Sequence, residues 1–453
     1  MTTWLLLMAC VGEPTPADHE QTDTSTTEPT SVPTPEPTSD PDKEPFVAPN
    51  FLVVLADDHG VDWVGAYDEF VDTPRTPQLD AFADEGLLFR RAYSAPTCGP
   101  TRAALLTGRF GFRNELGMIL DVDSDFVLDE SKPWLPAVLD GTDPSYTNAM
   151  IGKWHLGLEP LVGHDHPLRM GFDEYAGSWF GVYNYSRWPR IEDGEQVIYT
   201  DYPTIVTADA AVDALGRLPE PWFLMVAFNA PHEPFHEPPA ALHSYDLDGA
   251  TDKELYAAMV EALDAEFGRV LDAMTPEQEA NTFVMYLGDN GTMRGAMQPI
   301  ETPGGKNSVR ETGIRVPWIV RGPGVPAGTE TAAMVQVVDL IPTLAELAGA
   351  EIPADLEPDG ESFAGVLTAP EVASGRDWIY AERFVPNGPG PYDVHRQSVR
   401  NDRFKVIRNH DDGTESLYDL LGRTREGAPI EPPYTGDAAA AYAELVAILD
   451  GLR

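Results

Sequence analysis

Cysteine is nearly absent from this chain, with Cys10 and Cys98 the only two in 453 residues. A disulfide framework is thereby excluded, and if Cys10 is modified, Cys98 has no bridging partner and stands out as a free thiol. Basic residues are scarce as well: 30 Lys and Arg face 74 Asp and Glu, for a formal net charge of −44. Such a surface repels nucleic acid and anionic membranes, and no basic helix or basic-aromatic patch offsets it. An acid excess of this size suits salty surroundings, where screening lowers self-repulsion. The opening apolar run, MTTWLLLMAC, falls short of the roughly 20 residues that span a bilayer. Internal repeats are missing too.

What is present suits one large α/β domain with a smaller companion behind an unstructured leader. Residues 1–10 resemble a bacterial lipoprotein signal ending at Cys10. That resemblance implies export, a lipid anchor on Cys10, and a place in the periplasm or at the cell surface. Residues 11–48, rich in Pro, Thr and Glu, cannot bury apolar surface and read as an extended tether. Residues 49–370 then form the expected large domain, and 371–453 a small C-terminal α+β subdomain.

Four apolar runs have strand length and end in polar residues. FLVVLADDHG ends in Asp57 and Asp58, NAMIGKWHLG in Lys153 and His155, PWFLMVAFNAPHEPF in His232, and TFVMYLGDNG in Asp289 and Asn290. Uninterrupted apolar runs are the pattern of strands buried on both faces of a parallel sheet, and in such sheets ligands bind at the carboxyl ends. One polar end means little, whereas four point to a shared site. Between them, Thr76–Phe89 has helical apolar spacing with a stop at Gly86, and Asp252–Met274 is a second helix. The aromatic, glycine and histidine-rich stretch Gly163–Pro189 reads as long loops that wall a pocket, with His164 and His166 solvated in them. A glycine-flexed loop carries Lys306, a strand follows from about Val316, and VVDLIPTLAELAGA is a helix stopped at Gly349. Beyond residue 370, short strands with charged turns and the helix AAAAYAELVAILDGL predict a mainly antiparallel unit.

The central stretch is CGPTRAALLTGR. Pro100 suits the first turn of a helix and Gly108 its end, so a helix over about Pro100–Thr107 follows, with Cys98 at its positive end and Arg102 on the same face. There the thiolate, or an anion built on it, would be favoured; a small buried hydrophobe beside a surface arginine is the competing reading. Asp57, Asp58, Asp289 and Asn290 offer only oxygen ligands, which suit Ca²⁺ or Mg²⁺ and serve zinc poorly. Arg102, Lys153, His155, His232 and Lys306 are cations in an otherwise acidic protein, and gathered at one mouth they would hold a tetrahedral oxyanion.

With these motifs in order, the chain resembles the formylglycine-dependent sulfatases of the alkaline-phosphatase-like superfamily. CGPTRAALLTGR matches their Cys-x-Pro-x-Arg signature with its following Thr-Gly-Arg, and ADDHG, GKWHLG, GFDEYAG, APHEPF, GDNG, GGK…E…GIRVP and LYDL stand around it. The resemblance implies a large, mostly parallel sheet flanked by helices, with a smaller C-terminal antiparallel sheet plus helix. It implies that a maturation enzyme oxidises Cys98 to formylglycine, whose hydrate attacks sulfur with one oxygen and then eliminates sulfate as the aldehyde re-forms. Carried over, Asp57, Asp58, Asp289, Asn290 and residue 98 hold a divalent cation, Ca²⁺ in most members with Mg²⁺ the alternative. Arg102 and Lys153 orient the nucleophile, His155 takes the proton that drives elimination, and His232 and Lys306 face the leaving oxygen. The implied reaction is hydrolysis of an aryl or carbohydrate sulfate by S–O cleavage. The rivals are a formylglycine-dependent phosphonate or phosphate ester hydrolase and a surface binding protein without catalysis. Thr312 departs from the glycine common at its position, and His59 carries no assigned role.

Overall fold

The computed structural model describes residues 46–120, 122–298 and 304–452. The expected signal, Cys10 and nearly all of the tether lie outside the described residues. From Ala48 onward the chain is one compact unit.

In chain order the elements that build it are β1 (Asn50–Ala56), α1 (Pro77–Asp84), β2 (Leu87–Tyr93), α2 (Cys98–Thr107), β3 (Thr147–Gly152) and β4 (Glu174–Ala176). A hairpin of β5 (Trp188–Glu192) and β6 (Glu195–Tyr199) follows, then α3 (Pro203–Leu215), β7 (Trp222–Ala227), α4 (Asp252–Leu271), β8 (Thr282–Gly288), β9 (Trp318–Arg321), β10 (Thr329–Gln336) and α5 (Leu340–Ala348). The chain closes with β11 (Ile379–Val385), β12 (Val394–Arg400), β13 (Phe404–Asn409), β14 (Thr414–Asp419) and α6 (Gly436–Gly451).

Eight strands form one sheet in the order β10-β2-β9-β8-β1-β7-β3-β4. All pairings are parallel except those of β9, which runs antiparallel to β2 and β8. The reason is visible in β1. Phe51, Val53 and Leu55 enter the core on one face, and Leu52, Val54 and Ala56 enter a second core on the other. Apolar side chains at every position, with period-two alternation between faces, can be satisfied only by helices on both sides. The first core takes in α2 and α5 through Leu105, Leu106, Ile341 and Leu344, and the second takes in α1, α3 and α4 through Phe82, Ala211 and Phe267. Helix α4 starts at a capping box, in which Thr251 Oγ1 accepts from the Glu254 N–H and Glu254 accepts from the Thr251 N–H.

The expected helix over Thr76–Phe89 stops before Gly86 as its glycine requires, and Leu87, Leu88 and Phe89 belong to strand β2. Three consecutive apolar residues cannot keep to one helix stripe, but fit a strand covered on both faces. Strands β11-β12-β13-β14 form the second, antiparallel sheet. Helix α6 sets Leu445 and Leu449 into the same core as Val399, Val406 and Leu417, and that core is continuous with the large sheet's.

Candidate active site

Strands β8, β1, β7 and β3 lie side by side in the middle of the sheet and point the same way. Their carboxyl ends therefore emerge together, which brings Asp289 and Asn290, Asp57 and Asp58, His232, and Lys153 and His155 to one edge. The turn out of β3 depends on Gly152, at φ 103°, where a Cβ would sit 2.0 Å from the Ala227 carbonyl oxygen. Asp58 (φ 65°) and His155 (φ 63°) are held in the left-handed region without being glycine. Backbone strain of this kind persists only where the surroundings enforce it. Tyr256 helps to enforce it by donating its hydroxyl to the Asp58 carbonyl at 2.7 Å.

Cys98 opens α2, two residues earlier than the proline suggests, and all ten residues of the helix are buried. Arg102 is no surface arginine: it is 1% exposed and pairs with Asp289 Oδ2 at 2.9 Å. Lys153, fully buried, reaches Asp57 Oδ2 at 2.6 Å. Lys306 reaches both oxygens of Asp58, at 2.7 and 2.9 Å, and His232 Nε2 lies 3.6 Å from Asp58 Oδ2. Asn290 donates to Asp58 Oδ1 at 2.7 Å, and the Asp58 N–H donates to Asp289 Oδ1 at 3.0 Å. All ten residues expected at the site from sequence thus stand in one cluster.

Several buried atoms in this cluster have no partner: Asp57 Oδ1, Asn290 Oδ1, Arg102 Nε and His155 Nδ1. Buried polar atoms are normally satisfied, so orphans gathered at one place mark a site that something else completes. Ligand atoms of Asp57, Cys98 and Asp289 lie within 4.8 Å of one another, as do those of Asp57, Asp58 and His232. Two orphaned oxygens beside carboxylates fit a hard divalent cation. Charge repulsion points the same way. Burial, together with the Asp57 charge, pushes Asp289 up, while Asp57 is held well below the usual carboxylate range because Lys153, His232, Arg102 and Lys306 outweigh its burial.

The free thiolate expected at the helix start is disfavoured. Burial, reinforced by Asp57 and Asp289, pushes the Cys98 thiol up against the pull of Lys153 and Lys306. Burial, with Lys153 and Arg102, likewise keeps His155 neutral, its ring edge-on to Phe180 with centroids 5.7 Å apart.

Phe180 and Gly181 come from the stretch expected to wall the pocket, and a Cβ on Gly181 would lie 3.7 Å from His232 and 3.9 Å from Lys153. The same stretch is less open than expected. His166 is buried and takes the Trp154 indole N–H at 3.0 Å on Nδ1, so it is a core residue and not a solvated one. Its neighbours Pro167 and Leu168 gave no helical or strand period from which this could be read. Thr312, the departure noted in the sequence, accepts the Gly305 N–H at 3.0 Å and so braces the loop that carries Lys306. His59 is buried against the Tyr286 hydroxyl at 2.7 Å, a packing role. Tyr256 was not legible in advance, because inside a helix it resembles any core aromatic.

Comparison with known proteins agrees with this geometry. The Sulfatase family model matches residues 49–350, and the model for the C-terminal part of N-sulphoglucosamine sulphohydrolase matches residues 305–431. N-acetylgalactosamine-6-sulfatase of Sus scrofa is 34% identical over 352 residues, 69% of this chain, which spans 64% of that relative's length. Arylsulfatase G of Rattus norvegicus is 30% identical over 415 residues, covering 79% of this chain and 75% of its own. The crystal structure of Ps i-CgsB in complex with k-i-k-neocarrahexaose superposes with a TM-score of 0.78 at 27% identity, over 89% of this chain and 92% of that one.

Proposed function

We propose that this chain, which belongs to the sulfatase family, is a sulfuric ester hydrolase that acts on a sulfated sugar. The observation that carries the reading is the convergence of Cys98, an oxygen ligand set with orphaned atoms, and a buried group of cations at four adjacent strand ends. Similar proteins include an N-acetylgalactosamine-6-sulfatase and a protein solved with a neocarrahexaose, which support a carbohydrate ester, and an arylsulfatase G, which keeps an aryl ester as the alternative.

Asp57, Asp58, Asp289, Asn290 and residue 98 would hold a divalent cation, Ca²⁺ by preference. When bound, it supplies polarisation of the sulfate oxygens. Cys98 converted to formylglycine supplies an oxygen nucleophile that can later release sulfate, which a thiol cannot do without forming a lasting adduct. The remaining chemistry belongs to side chains already in place. Arg102 ties α2 to Asp289, Lys153 pairs with Asp57, and together they would concentrate positive charge around the reacting sulfate. His155 is neutral with Nδ1 free, so it can accept a proton there. His232 Nε2 and Lys306 Nζ both lie against Asp58 and would meet the charge developing on the leaving oxygen, one of them donating the proton. Export with a lipid anchor at Cys10 and maturation by a formylglycine-generating enzyme complete the proposal. Among the described residues no helix is long and apolar enough to cross a membrane.

The test is sulfate release from p-nitrophenyl sulfate and from a panel of sulfated sugars by matured protein, with phenylphosphonate esters alongside. Replacing Cys98 with Ala is expected to abolish turnover, at least a thousandfold, with circular dichroism unchanged. Wild-type rates in that variant would sink the mechanism, and turnover of phosphonate alone would move the reading to the rival hydrolase.

A further inference from the structure

Beside the cluster lies a cavity of 560 Å³ that shares Lys306 with it and is otherwise lined on its charged side by Arg294, Arg310, Arg383 and Arg396. Among the described residues no carboxylate lines it, although the chain carries 74 acidic and only 30 basic residues. Arg383 and Arg396 face each other directly across antiparallel strands β11 and β12. Like charges at that position destabilise a sheet. Asp411 relieves Arg396, accepting from its Nε at 3.1 Å and Nη2 at 3.0 Å, but among the described residues Arg383 makes no ion pair and its Nε is buried without a partner. Burial and the Arg396 charge work against the Arg383 cation and together outweigh the attraction of Asp411. Arg310 is spent on Tyr418, donating to its hydroxyl at 3.1 Å, and Arg294 is exposed with no ion-pair partner among the described residues. Arg383 and Arg294, without ion-pair partners among the described residues and set beside Arg310, Arg396 and the reacting centre, contribute no pairing to stability. The set makes sense as a receptor for anions.

We infer that this cavity binds a second anionic group of the same substrate, a sulfate or carboxylate on a neighbouring sugar, so that the enzyme selects polyanionic glycans over singly charged esters. The inference rests on the sulfate ester hydrolase reading and adds to it the substrate class. Lys306 gives the continuity, because one ammonium group borders both the cation cluster at Asp58 and the cavity. Arginine suits the task through its planar, forked donors.

The experiment measures inhibition of p-nitrophenyl sulfate hydrolysis by three probes: sucrose octasulfate, which has sulfates only; hexagalacturonate, which has carboxylates only; and inorganic sulfate, a single anion. In the wild-type protein at least one polyanion is expected to inhibit at a much lower concentration than inorganic sulfate, and which one identifies the group. Arg383→Gln is expected to narrow that advantage about tenfold, the usual worth of one charge-assisted hydrogen bond. It should not lower the melting temperature, since it removes a repulsion. Arg294→Gln, at an exposed position where folding is not at stake, is expected to narrow the advantage in the same direction. An unchanged ratio in both variants, or no advantage of either polyanion in the wild type, overturns the inference. Calorimetric titration of the same probes separates the two readings: if no sulfate ester is turned over but a polyanion binds and Arg383→Gln weakens it about tenfold, the cavity stands and the hydrolase reading falls.

Discussion

Two buried charge clusters lie within this fold, and they are built on opposite terms. At the junction of the two sheets Glu311 takes Lys405 on one oxygen at 2.9 Å and Arg400 on the other at 2.9 Å, Tyr93 adds its hydroxyl at 3.1 Å, and Lys405 also reaches Glu426 at 2.9 Å. Each of these side chains is satisfied. At the strand ends, Asp57, Asp58, Asp289, Arg102, Lys153 and Lys306 are equally buried and equally balanced in formal charge, yet Asp57 Oδ1, Asn290 Oδ1, Arg102 Nε and His155 Nδ1 are left without partners. Burial of charge is common to both; incompleteness belongs only to the second. A closed network fixes the Lys306 loop against the C-terminal sheet, whereas an open one keeps polar atoms available for a further partner.

The comparison breaks most sharply on metal addition. Ca²⁺ is expected to stabilise the wild-type protein by about 2.7 kcal/mol at a hundredfold excess over its Kd, read as a rise in Tm that EDTA reverses. Asp57→Asn should lose that rise; a variant that keeps it in full would remove Asp57 from the ligand set.

Larger in free energy is the loss of one partner. Lys405→Met leaves Glu311 buried and short of charge, and should cost about 3–5 kcal/mol in urea unfolding whether or not Ca²⁺ is present. Lys153→Met should cost a similar amount without the ion and measurably less with it, because the ion also compensates Asp57. Equal Ca²⁺ dependence of the two variants would erase the distinction between closed and open clusters.

A third effect is a pH dependence. Burial pushes Glu311 up, but Lys405 and Arg400 outweigh it and hold the group at about 2 against an ordinary value of 4.5. Because the folded value is the lower one, the stabilisation is complete above about pH 4.5 and is lost as the pH falls toward 2. Acid titration of stability should therefore be shallower between those values in Lys405→Met than in the wild type.

Much of the site was legible because strand ends are. FLVVLADDHG and TFVMYLGDNG announce a buried strand and its polar terminus together, and parallel strands bring such termini to one edge without further information. Cys98 and Arg102 were legible from the proline and glycine that bound their helix, but the burial of Arg102 was not, since a helix face carries no label saying what covers it. His166 was misjudged for the same reason: its partner Trp154 is 12 residues away across a loop whose path no local period encodes.

The apolar runs and their polar caps decide by themselves that this chain makes a mostly parallel sheet covered on both faces, with acidic and cationic side chains gathered at the carboxyl edge, because those features depend on residue type and short spacing alone. Which atoms stay orphaned, which thiol or imidazole is neutral, and how arginines from positions 294, 310, 383 and 396 line one cavity were decided only by tertiary structure. Desolvation and Coulomb interaction act through space, and residues a hundred positions apart meet only once the two sheets have packed.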